Sequence, residues 1–180
     1  MYIEKFTTLL LEWNKIHNLT GAKNSKEIYT NIEDSLYPTK FIEEPQSILD
    51  VGTGAGFPGL ILAIVYPNTK VYLCEPRNKR ASFLKFATID LNLDNVTVIR
   101  KRVEDFNAPP FELISSRAVT NTKMLLKLTS HLQNRNTKYL FYKGERLFNE
   151  LEDINSSMDY DIIKNKKRNY LYIKRVNSDI

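Results

Sequence analysis

The sequence contains one cysteine, Cys74, so no disulfide can close within the chain and a disulfide-stapled secreted scaffold is excluded. Cys74 follows the apolar run Val71, Tyr72, Leu73 and reads as a small buried thiol. Two histidines, His17 and His131, beside one thiol leave too few ligands for a zinc cluster, so no metal is expected. Long apolar runs are also missing. The longest, Leu60 to Tyr66, is too short to cross a bilayer. Glu4, Lys5 and Glu12 interrupt any basic-then-apolar leader pattern, so the expected location is cytoplasmic, with no membrane partner. No internal repeat or low-complexity tract stands out, and nothing in the pattern calls for more than a monomer.

What is present is ordinary globular composition: 180 residues, 42% of them apolar, which is enough for a real core. The formal charge of +5 favours a polyanionic partner, because phosphate contacts release counterions. Many basic proteins bind no nucleic acid, so charge alone leaves the partner open.

Periodicity divides the chain. Met1 to Ile16 predicts an amphipathic helix, with Phe6, Leu9, Leu10, Trp13 and Ile16 at helical spacing. Asn24 and Glu27 form a capping-box pattern for a second helix that runs toward Tyr37 and ends at Pro38. These residues, 1–45, read as a helical extension ahead of a core spanning 46–180, within one compact unit. The core alternates: strands at Ser47–Val51, Lys70–Glu75, Val96–Arg100, Phe111–Ser115 and Lys138–Tyr142; helices at Pro58–Tyr66, Asn78–Asn92, Asn121–Leu132 and Glu145–Ile154. Tyr160–Lys164 and Tyr170–Val176 flank a polar segment and predict a hairpin. The expected fold is α/β, with a mostly parallel sheet and an antiparallel C-terminal hairpin.

The chemistry centres on Asp50-Val51-Gly52-Thr53-Gly54-Ala55-Gly56-Phe57-Pro58-Gly59, which leaves a strand and opens a helix. Two ligands compete for such a loop. Gly54, Gly56 and Gly59 satisfy the spacing of a dinucleotide site. The frame Asp50, Gly52, Gly54, Gly56 instead resembles the first motif of Rossmann-like methyltransferases. Two features favour the second frame. Asp50 places a carboxylate before the glycines, able to act directly or through water on the cationic amino-acid end of S-adenosyl-L-methionine. Pro58 removes an N–H where a pyrophosphate needs donors. Glu75, ending the second strand, is placed to accept hydrogen bonds from ribose hydroxyls, a role that suits NAD equally; a solvated acid pairing with Arg77 or Lys79 is the plainer alternative. Val103-Glu104-Asp105 follows the third strand, where a loop passes the adenine; Glu104 also suits a solvated helix-start acid.

Short blocks along nearly the whole chain resemble the RsmG (GidB) family of bacterial methyltransferases. They are Trp13-Asn14 with Asn18-Leu19-Thr20, Asp34-Ser35-Leu36, the glycine loop, Lys79-Arg80 with Phe83-Leu84, Arg102-Val103-Glu104, Ser116-Arg117-Ala118 and Lys143-Gly144. The resemblance implies S-adenosylmethionine-dependent methylation of guanine N7 in 16S ribosomal RNA, as free RNA or in the small subunit. It further implies cofactor contacts at Gly52, Phe57, Val103, Glu104 and Arg117. Arg117 would face the transfer site as a positioning residue, its alternative being a salt bridge to Glu104 or Glu75. Other readings of the residues remain: a methyltransferase for a protein or small molecule, an NAD-dependent oxidoreductase, or a non-catalytic RNA-binding module.

Guanine N7 carries an in-plane lone pair and no proton, so the expected chemistry needs alignment and no general base. Basic clusters at Lys79-Arg80, Arg100-Lys101-Arg102, Lys123 with Lys127, and Lys164-Lys166-Lys167-Arg168 are candidate RNA contacts. Tyr170 and Tyr172 beside the last cluster read more readily as core residues than as stacking platforms.

Overall fold

A computed structural model describes residues 1–152, 158–166 and 168–176, with the backbone alone at Glu152. Helix α1 (Tyr2–His17) buries Phe6, Leu9 and Leu10 and half-buries Trp13 on the predicted face, leaves Ile16 exposed, and ends where Asn18 turns left-handed at φ 48°. Helix α2 (Ser25–Leu36) starts at Asn24, whose Oδ1 accepts the Glu27 N–H at 3.0 Å. Glu27 answers one residue further back than a standard capping box, accepting from Lys23 N–H at 2.9 Å. A 3₁₀ turn at Tyr37–Lys40, containing Pro38, closes this segment.

The remaining elements are β1 (Ser47–Val51), α3 (Gly59–Val65), β2 (Lys70–Cys74), α4 (Asn78–Asp90), β3 (Val96–Ile99), β4 (Leu113–Arg117), α5 (Thr122–Thr129), β5 (Lys138–Lys143), α6 (Leu147–Glu152), β6 (Met158–Asn165) and β7 (Arg168–Val176). They build one sheet of seven strands in the order β3-β2-β1-β4-β5-β7-β6. The first five pair in parallel, and β7 pairs antiparallel with both β5 and β6. The reversed strand therefore lies one place in from the edge, and β6 is the outermost strand on that side.

Side-chain alternation along each strand splits the core into two layers. Ile48, Leu73, Leu140, Tyr142, Tyr170 and Tyr172 face α1 to α4. Leu49, Cys74, Tyr139, Phe141, Leu171 and Ile173 face α5, α6 and neighbouring turns. Phe6 and Ile28 are fully buried in the first layer, so α1 and α2 cover the sheet with the same core that holds α3 and α4. Each such side chain contributes about 1.5–3 kcal/mol by leaving water.

One expectation shifts. Strand β4 starts and ends two residues later than its apolar run indicated. Phe111 lies outside the ladder, where its N–H donates to Leu132 O and its ring packs 5.1 Å from Tyr72. Arg117 is consequently the last residue of the strand. The expected ends of the sixth helix at Ile154 and the basic residue Lys167 lie outside the described residues.

Candidate active site

Strands β1 and β4 are neighbours whose following helices leave in opposite directions, a switch point that opens a crevice beyond their carboxyl ends. A cleft of about 770 Å³ lies there, bounded by the loop after β1, the ends of β2 and β4, and the turn after β3.

The loop is held almost wholly by protein acceptors. Gly52 and Thr53 donate to Cys74 O, Gly54 to Glu75 Oε2 at 3.1 Å, Gly56 and Phe57 to Thr53 O, and Gly59 to Asp50 Oδ2 at 2.8 Å. With Pro58 having no N–H, little remains to cradle a pyrophosphate, which argues against the dinucleotide frame. Gly52 takes φ +67°, and a Cβ there would come within 2.4 Å of Val119 Cγ2. Gly56, at φ +100°, sits under the loop against Leu60 and does not line the cleft.

Asp50 is fully buried and also absent from the lining. Its register partner Ser115 donates to Oδ1 at 2.8 Å, while Gly59 N–H occupies Oδ2. Burial raises its carboxyl to about 6, against the lowering effect of the nearby Thr53 hydroxyl, of those two hydrogen bonds and of Arg117. The structure thus places Asp50 behind the loop as its anchor. The Thr53 hydroxyl, buried in the cleft wall, is close enough to Asp50 to favour the ionised carboxylate but makes no full hydrogen bond among the described residues.

Glu75 is 3% exposed and lines the cleft. Its oxygens accept from Gly54 N–H at 3.1 Å and Arg77 N–H at 2.8 Å, while Arg80 Nη1 stands 4.0 Å away. The partner at Arg77 is thus its backbone, not its side chain. Val103 is buried in the cleft wall, and Glu104, more open, lies 3.8 Å from Arg102. Cys74 contacts the same region, but burial, with Asp50, Glu75 and Glu104 nearby, raises its thiol to about 12, so it stays protonated and inert.

Arg117 lines the cleft at the end of β4, its guanidinium 5.1 Å from the Phe57 ring centroid. It pairs with neither Glu104 nor Glu75. Nη1 reaches across to α2 instead, donating to Asn31 Oδ1 at 3.0 Å and Asp34 Oδ2 at 3.2 Å. Two further groups, of which Thr20 reads from sequence as a loop-stabilising side chain or an RNA contact, were not expected at this cleft. Leu19, Thr20 and Gly21 line the cleft from the α1–α2 connection. Asn14 fixes that connection, accepting from Thr20 N–H at 2.9 Å and donating to Ala22 O at 3.0 Å. The Trp-Asn and Asn-Leu-Thr blocks were the available signal, though they carry no hint of which ligand they approach.

Tyr170 and Tyr172 are buried, as the core reading has them, and Tyr170 stacks on Tyr37 at 5.1 Å. Trp13 packs against Phe83 and Phe86. His131, exposed, contacts Phe106 O, and His17 lies against Trp13; neither lines the cleft.

A strand-end carboxylate suited to a ribose diol and glycines that admit close approach fit S-adenosylmethionine. The sheet order and this loop define a Rossmann-like S-adenosylmethionine-dependent methyltransferase. A methyltransferase from Geobacter sulfurreducens shares the fold, with a TM-score of 0.71 and 13% identity over 94% of this chain and 90% of that one.

Sequence comparison narrows the class. Residues 1–177 match the family described as rRNA small subunit methyltransferase G. The ribosomal RNA small subunit methyltransferase G of Aliarcobacter butzleri is 53% identical over 171 residues, covering 95% of this chain and 88% of that protein. The protein of the same name from Wolinella succinogenes is 48% identical over 170 residues, covering 94% and 86%. The chain belongs to the rRNA small subunit methyltransferase G family.

Proposed function

We propose that this protein transfers a methyl group from S-adenosylmethionine to N7 of a guanine in 16S ribosomal RNA, and that it works as a monomer in the cytoplasm. The observation that carries the reading is the cleft itself. Its loop N–H groups are engaged by the protein, and its walls are a buried carboxylate on one side and an arginine on the other. Family membership along residues 1–177 supplies the choice of RNA.

When bound, S-adenosylmethionine contributes an electrophilic sulfonium methyl. The chain's own part is binding and alignment. Glu75 accepts from the ribose hydroxyls, and the Val103–Glu104 turn bounds the adenine. Asp50 keeps the loop closed from behind, and Phe57 lies under the Arg117 guanidinium. No side chain is needed to take a proton, because the acceptor nitrogen has none. Methylated guanine gains positive charge, so Arg117 belongs on O6 or a phosphate and away from N7.

The test uses purified protein, methyl-labelled S-adenosylmethionine and small ribosomal subunits lacking the modification. Label recovered in RNA as 7-methylguanosine is expected. Label in ribosomal protein, or in a different nucleoside, overturns the assignment.

A further inference from the structure

Asp34 on α2 joins two arginines that come from distant parts of the chain. Its Oδ2 lies 3.2 Å from Arg117 Nη1 at the end of β4, and its Oδ1 lies 3.0 Å from Arg168 Nε at the start of β7. The Tyr170 hydroxyl donates to the same Oδ1 at 3.0 Å, and Asn31, one turn earlier on α2, takes Arg117 Nη1 as well. The carboxylate is 14% exposed and is outnumbered by cations two to one.

The two arginines border connected spaces. Arg117 and Ala118 line the cofactor cleft, and Ala118 is shared with a hollow of about 610 Å³ beyond the ends of β4 and β5. Arg168 lines that hollow and also a groove of about 900 Å³ between α2 and the β6–β7 turn. A guanidinium is planar, so a bond at one nitrogen fixes the whole fork. Asp34 holds Arg168 by Nε, and its two Nη groups hydrogen-bond nothing among the described residues. That is the pair of donors that binds a phosphate bidentately.

The geometry points to Asp34 as a positioning residue for the RNA: one carboxylate orients Arg117 at the transfer site and Arg168 for the backbone phosphate next to the target nucleotide. The inference rests on RNA being the substrate. It makes a prediction of unusual sign. By charge alone, removing an anion from an RNA-binding surface tightens RNA binding. If Asp34 acts by positioning, removing it weakens binding.

The experiment compares wild type, Asp34→Asn, Arg168→Lys and Asp34→Asn/Arg168→Lys on unmodified small subunits, with direct titration of S-adenosylmethionine and urea midpoints for each. The expected result is a KM for subunits raised about tenfold in both single variants, with no further rise in the double variant. For Arg168→Lys the S-adenosylmethionine Kd stays within about threefold, since Arg168 does not line the cofactor cleft. A merely structural role lowers the folded fraction and kcat but leaves KM unmoved, and that outcome overturns the inference. So does a KM that falls in Asp34→Asn. Should Asp34→Asn fail to fold, Arg168→Lys decides alone, an unchanged KM overturning the inference. Wild type that labels no RNA overturns the functional reading and this one with it. Wild type that labels RNA, with variants of unchanged KM, overturns this one only.

Discussion

Replacing Gly59 by alanine probes the joint that holds the glycine loop. An ideal Cβ at this position would lie 2.5 Å from Leu73 Cδ2 and 2.6 Å from both Asp50 Cβ and Asp50 Oδ2. None of these can retreat cheaply, since Asp50 and Leu73 are fully buried on adjacent strands. The overpacking costs about 1–3 kcal/mol. The shift also pulls the carboxylate off the Gly59 N–H, a charge-assisted bond whose loss costs about 1.5–3 kcal/mol. Together the variant loses about 3–5 kcal/mol at pH 7.5, a drop in Tm of roughly 6–20 °C for a chain of this size. Lowering the pH to 5 protonates Asp50, whose carboxyl titrates at about 6, so the second contribution shrinks to that of a neutral hydrogen bond. The penalty then falls by about 1–2 kcal/mol. Gly54→Ala is the comparison. Its Cβ finds nothing closer than 4.0 Å, and its φ of +62° costs about 1–2 kcal/mol on backbone grounds alone. Urea titrations of the three proteins at both pH values measure all of this. A Gly59→Ala penalty no larger than that of Gly54→Ala, or one that does not change with pH, refutes the argument.

Asp50→Asn tests the same carboxyl by linkage. Its value is raised from 3.8 unfolded to about 6 folded, so the protonated form is favoured in the native state. Its contribution to stability is fully present below 3.8 and declines by about 3 kcal/mol as pH rises through 6. The variant lacks that decline, so its stability relative to wild type improves between pH 4 and pH 8; a flat difference in urea midpoints refutes it. Glu75→Gln retains size and burial but removes charge and acceptor capacity facing the cleft. We expect S-adenosylmethionine affinity by calorimetry to fall about tenfold, and an unchanged Kd removes Glu75 from the site. Asn14→Ala frees the Thr20 N–H and Ala22 O, at a cost of about 1–3 kcal/mol. Amide exchange at Thr20 should accelerate at least as much as that stability loss implies.

Local patterns read well from sequence, and long-range partners did not. The glycine loop, the Asn24 cap and the apolar runs of β1, β5 and β7 are set by neighbours a few residues apart, and each appears within a residue or two of its expected place. Phe111 misled because an apolar residue after two prolines looks like a strand start, whereas its ring fills a gap beside Tyr72 and Phe106 outside the ladder. Asp50 is legible as a ligand candidate because its place before the glycines is visible, while the Ser115 hydroxyl that holds it behind the loop is 65 residues away. Arg117 was legible as a cleft-lining candidate by its place at a strand end. Its partner Asp34 stands 83 residues earlier, and only the packing of α2 over the sheet brings them together. The sign of charge near Arg117 was therefore anticipated and the identity of the acid was not.

The position of β7 also dictates when the sheet can be completed. Among the described residues it is the last strand made, yet it fills the gap between β5 and β6. Until Arg168 to Val176 emerges from synthesis, Tyr139 to Lys143 presents a bare row of backbone donors and acceptors along an apolar strand. Such an edge is a template for pairing with other chains. A product truncated before residue 168 is thus expected to aggregate and not merely to lose activity, because the final segment seals the molecule instead of decorating its border.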